Sequence, residues 1–294
     1  MKKKLFALVA LSLPIVLFIL LEFSLRFNSL YSPYPLFISL PSNNEYLIAN
    51  PDFGSQYFPD FKPSIAAIPF SKQKNDSMLR VVTIGGSSAA GFPYQSYFSF
   101  SGQLSRHLMY NVPQYQSEVI NLSMTAINSY QYVDMIDEII AIQPDVVLVY
   151  GGHNEFFGAY GSASNFGFSM INHPIVKQLI IKLNRLALIQ IPKKIIANSA
   201  DKTKDTRTLM AKTIKEVSIP YKEPLYNSTM EQFELNMRTI LSKLDKNGIP
   251  VIMSKIGSNL KDQKPLGTSS YSDSLFQLAK EIEIQTNISQ ADSL

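Results

Sequence analysis

The chain contains no cysteine. That excludes disulfides, zinc–thiolate sites and thiol nucleophiles, and it leaves the redox compartment unread. Charge is scarce as well: Asp, Glu, Lys and Arg make up 17% of residues, and the net charge is only +4. Lys2, Lys3 and Lys4 supply most of that excess. No stripe of basic residues gathers elsewhere, so nucleic acid is set aside as a partner. His, Asp and Glu nowhere fall at ligand spacing, so no metal and no cofactor is expected. Internal repeats and low-complexity tracts are also missing.

What is present begins with an apolar run. Residues 5–21 are interrupted only by Ser12 and Pro14, and the three lysines precede them. The run reaches the lower limit for crossing the hydrocarbon core of a bilayer. A cleavable signal peptide has the same basic-then-apolar order. No small-x-small cleavage site follows, however, because Glu22, Phe23, Ser24, Leu25 and Arg26 come next. The expectation is an uncleaved N-terminal transmembrane helix over residues 1–27, with the lysines in the cytoplasm and the rest of the chain outside it. Residues 28–78, rich in Pro, Ser, Tyr and Phe without helical periodicity, read as a stalk that then lies across the folded body.

The 294 residues suffice for one sizeable core. The body opens at Leu79. Residues 79–84 (LRVVTI), 119–122 (VINL), 145–150 (DVVLVY) and 249–253 (IPVIM) are short, apolar and rich in β-branched side chains, as buried strands are. Helical spacing occupies residues 98–110, 129–142 and 228–247, the last with Ser228 and Glu231 as a capping box. Apolar strands alternating with helices indicate an α/β body with a doubly wound parallel sheet over residues 79–294. A long insertion, residues 159–227, contains a helical stretch with Ile175, Val176, Leu179, Ile180, Leu183, Leu186 and Ala187 on one face and Lys177, Asn184 and Arg185 on the other. Such a helix either packs on the sheet as a lid or lies on a membrane surface.

In parallel sheets, sites form beyond the carboxyl ends of the strands. The first strand runs into Gly85-Gly86-Ser87-Ser88-Ala89-Ala90-Gly91. A phosphate loop would need Gly-Lys-Ser/Thr at its end, and a dinucleotide fingerprint would need its glycines at the first, third and sixth places. Neither pattern is met. A nucleophile turn is the reading left, with Ser87 projecting beside a helix N-terminus whose partial positive charge favours a developing anion. The next strand ends carry Asn121-Leu122-Ser123 and Gly152-His153-Asn154-Glu155. Acyl transfer needs donors aimed at a tetrahedral oxyanion, and the main-chain N–H groups of Ser87 and Ser123 with the Asn154 carboxamide supply such donors. Asn121 and Asn154 equally suit the satisfaction of backbone groups at strand ends, and His153 suits a turn.

In order and spacing these three segments resemble the SGNH (GDSL-like) hydrolases, and more narrowly a membrane-anchored branch of them. The resemblance covers about residues 79–266. It implies a flavodoxin-like sheet, Ser87 as nucleophile, a Ser123 N–H as oxyanion donor where the family usually has glycine, and Asn154 as a second donor. It also places Gly86 where many members carry aspartate and Glu155 where the third block usually carries aspartate. The substrate class implied is an ester: O-acyl carbohydrate or lipid, met outside the cytoplasmic membrane. Transfer of the acyl group to sugar, as in alginate acetyltransferase-like relatives, uses the same serine.

The family's base is a histidine near the C-terminus with an aspartate three residues before it. This sequence has only His107, His153 and His173, none after the fourth strand. Residues 271–288 read as an unfinished helical region, so the expectation is a truncated chain whose Asp-x-x-His lies beyond Leu294. The rival expectation is a catalytically inactive binding or scaffold domain. A nucleotide-binding module of similar fold finds no supporting residues.

Overall fold

The structure is a computed structural model, and it describes residues 2–58, 62–164, 173–199, 219, 221–257 and 270–291. Parts of the insertion expected at 159–227, and the end of the loop after the fourth strand, lie outside the described residues.

The chain starts in helix α1 (Lys2–Leu25). From Ala10 to Leu21 every side chain of α1 is exposed, and near its end Glu22 is buried against the body. Among the described residues no helix is long and apolar enough to cross a membrane. The side chains described without a break in α1 begin only at Ala10.

The segment expected to be a stalk is part of the body. It carries a small antiparallel sheet, β1 (Phe37–Leu40), β2 (Asn43–Ala49) and β3 (Phe70–Ser71), in that order. Leu36, Ala49, Phe53, Tyr57, Phe58, Ile65 and Phe70 from this stretch belong to the same buried cluster as the main sheet. The aromatic residues of this stretch, Phe53, Tyr57, Phe58 and Phe70, are core residues. Burying each contributes on the order of 1.5–3 kcal/mol, enough to hold irregular backbone in place.

The main sheet follows, with β4 (Met78–Gly85), the short helix α2 (Ser87–Ala90), α3 (Phe100–Asn111), β5 (Gln116–Asn121), α4 (Ser129–Ala141) and β6 (Val146–Tyr150). After them come α5 (Pro174–Leu183), α6 (Ala187–Ser199), α7 (Pro224–Lys246), β7 (Val251–Met253) and α8 (Ser270–Ala291). The four strands are all parallel, ordered β5-β4-β6-β7. Val82 stands opposite Ile120 on one side and Val147 on the other. Seven of the eight residues of β4 are buried, which requires cover on both faces. The path steps from β4 outward to β5 and back past β4 to β6. Right-handed crossovers in opposite directions put α3 and α4 on opposite faces. The fold is therefore α/β with a parallel sheet, as expected.

Helix α4 buries Tyr132, Met135, Ile136 and Ile139, and a capping box between Asn128 and Gln131 begins it. Helix α7 starts earlier than its sequence suggests. Glu223 is the N-cap and Pro224 fills the first turn, so Ser228 lies inside the helix. A proline with its φ already helical and no N–H to satisfy outcompetes the Ser228–Glu231 box.

The amphipathic stretch of the insertion forms α5 and the start of α6, but its faces are not those of a helix packed by its apolar side. Lys177 is fully buried, while Ile175, Val176, Leu179 and Leu183 are exposed. Lys177 Nζ donates to the Tyr160 carbonyl at 2.8 Å and to Gln232 Oε1 at 2.9 Å, and it lies 5.0 Å from the centre of the Tyr130 ring. Those partners turn the lysine inward and the apolar stripe outward.

Candidate active site

Beyond the carboxyl end of β4 the chain turns at two glycines. A Cβ on Gly85 would collide with the Tyr150 carbonyl of neighbouring β6 and with Ala89. Only glycine lets the strands and α2 approach so closely there. Gly86 is the N-cap of α2, so Ser87 occupies the first helical position, half-exposed, at the positive end of a short turn of helix. Gly91, with φ +91°, closes that turn, and the Phe92 N–H donates back to the Ser87 carbonyl at 3.0 Å.

Asn154 comes from the loop after β6. A Cβ placed on Gly86 would lie 3.0 Å from Asn154 Nδ2. The carboxamide of 154 is thus beside the residue that precedes Ser87, on the same rim of the sheet. Nδ2 donates one hydrogen to the Ile127 carbonyl at 2.9 Å. Its second hydrogen has no acceptor among the described residues, and an amide nitrogen carries two. The main chain of Asn154 is held as well, its carbonyl accepting from Gly158 N–H at 2.7 Å and from Asn128 Nδ2 at 3.3 Å.

Ser123 stands differently from the expectation. Its main-chain N–H donates to Asn121 Oδ1 at 3.1 Å and is already engaged. Its hydroxyl is buried with no hydrogen-bond partner among the described residues. The donor left over at this position is the Oγ–H. Asn121 serves backbone groups at the strand end: Nδ2 donates to the Ala89 carbonyl at 3.1 Å, and Oδ1 also accepts from Thr83 Oγ1 at 3.1 Å. Since Ala89 lies in α2, Asn121 ties the serine-bearing turn to β4 and β5. A buried amide with its groups satisfied rigidifies such a turn.

Glu155 is fully buried and does not face Ser87. Its carboxylate accepts from Ser129 N–H at 2.9 Å and Ser129 Oγ at 2.7 Å, capping α4. Burial raises its pKa from 4.5 to about 7, against the pull of the two Ser129 hydrogen bonds and of the Lys177 charge. Burial likewise lowers Lys177 from 10.5 to about 8, with Glu155 opposing. Ser129 Oγ also accepts from Asn236 Nδ2 at 2.9 Å, which brings α7 into the network. Asn154 and its neighbours are therefore fixed from below by Glu155, Asn128, Lys177 and Asn236. The sequence analysis placed a helix from residue 129 but not the capping box at Asn128 and Gln131 that begins it. The roles of Lys177 and Asn236 depend on contacts made across the fold and left no local signal.

All three histidines are described, and none hydrogen-bonds the Ser87 hydroxyl. His153 is exposed, its ring edge-on to Tyr150 at 5.6 Å between centroids. His107 is exposed on α3, and His173 precedes α5. Among the described residues no group of acidic or imidazole side chains could hold a metal ion.

No protein-family model matches the chain, and no curated protein matches it. Among solved structures, the esterase AlinE4, described as an SGNH-hydrolase family member, is 13% identical and superposes with a TM-score of 0.32 over 76% of this chain and 99% of its own. The psychrotrophic esterase EstA from Pseudoalteromonas sp. is 14% identical, with a TM-score of 0.31 over 71% of this chain and 98% of its own. The acetyl xylan esterase AlAXEase is 16% identical, with a TM-score of 0.30 over 70% and 99%. Similarity this low decides nothing about chemistry, which must come from the residues of this chain.

Proposed function

We propose that the chain is an SGNH-type serine hydrolase of ester bonds, carried on a membrane anchor with its body outside the cytoplasm. One observation carries the reading: the loop after β6 sets the Asn154 carboxamide, with one amide hydrogen uncommitted among the described residues, against the glycine that introduces Ser87. Strand order supports it. Counting strands of the main sheet from β4, the order is 2-1-3-4, that of flavodoxin-like sheets, and the site stands at the switch point between the first and third strands.

In this reading Ser87 Oγ attacks the acyl carbonyl, and the carbonyl oxygen becomes the oxyanion. The Ser87 N–H at the start of α2, the second hydrogen of Asn154 Nδ2 and the Ser123 hydroxyl surround it. Such donors act on the charge that develops in the transition state rather than on the ground state. The ester C–O bond breaks and the alcohol leaves with the proton that Ser87 gave up; water or a sugar hydroxyl then takes the acyl group and returns a proton to Ser87 Oγ. O-acyl carbohydrate or lipid esters are the substrate class. The exposed side chains of α1 from Ala10 to Leu21, together with the apolar run 5–21 behind three lysines, support its assignment as the anchor.

A second reading follows from the serine itself. Its hydroxyl is a weak nucleophile without an adjacent base, and no histidine of the chain bonds to it. A binding domain that keeps the donor rim without turnover would look the same. A fluorophosphonate probe separates the two. The hydrolase reading expects labelling of the full chain that disappears in Ser87→Ala and falls in Asn154→Ala. No labelling of folded protein, confirmed by a cooperative thermal transition, favours the binding domain.

A further inference from the structure

The apolar stripe of α5 points away from the body, which a helix of a globular domain does not do without an occupant. Ile175, Val176, Leu179 and Leu183 are 69%, 38%, 53% and 40% exposed. They follow the helical repeat, so they form one face rather than scattered exposures. The polar side chain that would ordinarily face water, Lys177, is turned inward to Tyr160 and Gln232.

The position of this face names its occupant. Leu183 ends α5, and α6 begins only four residues later at Ala187. There Glu22, from the last turns of α1, accepts from Ala187 N–H and Leu188 N–H, each at 3.0 Å. Arg26 Nε bonds the same carboxylate at 2.9 Å. The chain that leaves α1 is pinned to α6 again, since Lys194 Nζ donates to the Leu30 carbonyl at 2.6 Å and to Ser32 Oγ at 2.8 Å. No spacer therefore separates the anchor helix from this corner of the body. With a rise of about 1.5 Å per residue, the stripe from Ile175 to Leu183 spans about 12 Å, and it ends four residues before the α1–α6 junction at Ala187. Lys182 is exposed beside Leu183, where a cation suits anionic head groups.

We infer that the outward face of α5 lies in the interfacial layer of the bilayer that holds α1, so that the body rests on the membrane instead of hanging from it. This rests on the anchor assignment made above. A second copy of the chain is the competing occupant.

The chain contains no tryptophan, so single substitutions report position directly. Leu179→Trp and, as a marker of the anchor, Leu17→Trp are to be placed separately in the full chain. Each variant is reconstituted in vesicles of phosphatidylcholine and phosphatidylglycerol, with and without bromine on the acyl chains. The expected result is blue-shifted emission from both tryptophans and quenching of both by the brominated lipid. Quenching of Trp at 17 with none at 179 overturns the inference and leaves the anchor standing. Blue-shifted but unquenched emission at 179 overturns it in favour of a protein partner. Absence of quenching at both positions overturns the anchor assignment and this inference together.

Discussion

Exchange of Glu155 for glutamine isolates one buried ionisation whose effect on stability has a defined sign. The carboxylate is only 3% exposed, and desolvation is the largest influence on it, lifting its pKa from 4.5 to about 7. The folded chain keeps this proton up to about pH 7, whereas the unfolded chain releases it near 4.5. Between those limits the folded state binds more protons, so stability is full below pH 4.5, falls as pH rises through the interval, and levels off above pH 7. At 1.36 kcal/mol per pH unit, the interval is worth about 3 kcal/mol. Glutamine keeps an acceptor for Ser129 N–H and does not titrate. The difference in stability between Glu155→Gln and the parent should therefore move by about 3 kcal/mol in favour of glutamine from pH 4.5 to pH 7. Other titrating carboxylates, such as Asp134 and Glu138, cancel in the difference. Lys177 loses its counter-charge in the variant, but its own titration near 8 lies outside the window. Urea unfolding of the full chain in detergent micelles, followed by circular dichroism at half-unit pH steps, gives both curves. Parallel curves would show that the carboxylate is not desolvated, and the account of Glu155 as a buried cap of α4 would fall with it.

Other expectations follow from the same contacts. Asn154→Ala should lower any Ser87-dependent turnover of a p-nitrophenyl ester by about 100- to 1,000-fold, the usual loss for one oxyanion donor, and should cost about 1–3 kcal/mol in a denaturant titration for the Ile127 carbonyl it orphans. Asn121→Ala strands the Ala89 carbonyl and Ser123 N–H. It should destabilise the fold by about 1–3 kcal/mol per orphaned group in denaturant titrations and reduce labelling of Ser87 by a fluorophosphonate. Arg80→Met leaves Glu118 without its partner and should cost about 3–5 kcal/mol, of which Arg80→Met/Glu118→Leu should recover a substantial part.

The strands were legible because each is a short β-branched run ending in glycine or a polar turn, and a buried parallel strand needs nothing else. The three rim loops were legible for the same reason: Ser87 and Asn154 sit where apolar runs stop. Three features were hidden. Phe53, Tyr57, Phe58 and Phe70 pack into the core with Leu36 and Ile65, but they are spaced without period, so nothing local distinguishes their segment from a linker. Lys177 is buried because Tyr160, Gln232 and Glu155 converge on it from other parts of the chain, and an amphipathic pattern read along one helix assigns it to water. The engagement of the Ser123 N–H by Asn121 was equally hidden, since it depends on a side-chain rotamer two residues away.

Arg80 has a consequence for how the molecule comes apart. Its guanidinium donates to Ser71 of the small sheet, to the Ile142 carbonyl behind α4 and to Glu118 on β5, while Ser71 N–H donates to the same Glu118. Peeling β1–β3 from the parallel sheet would leave Arg80 paired with Glu118, but it would take the Ser71 carbonyl from the buried guanidinium and the Ser71 N–H from the carboxylate. The two sheets are therefore coupled through these buried contacts, and a protease cut between residues 71 and 78 should nick the chain without releasing its N-terminal part.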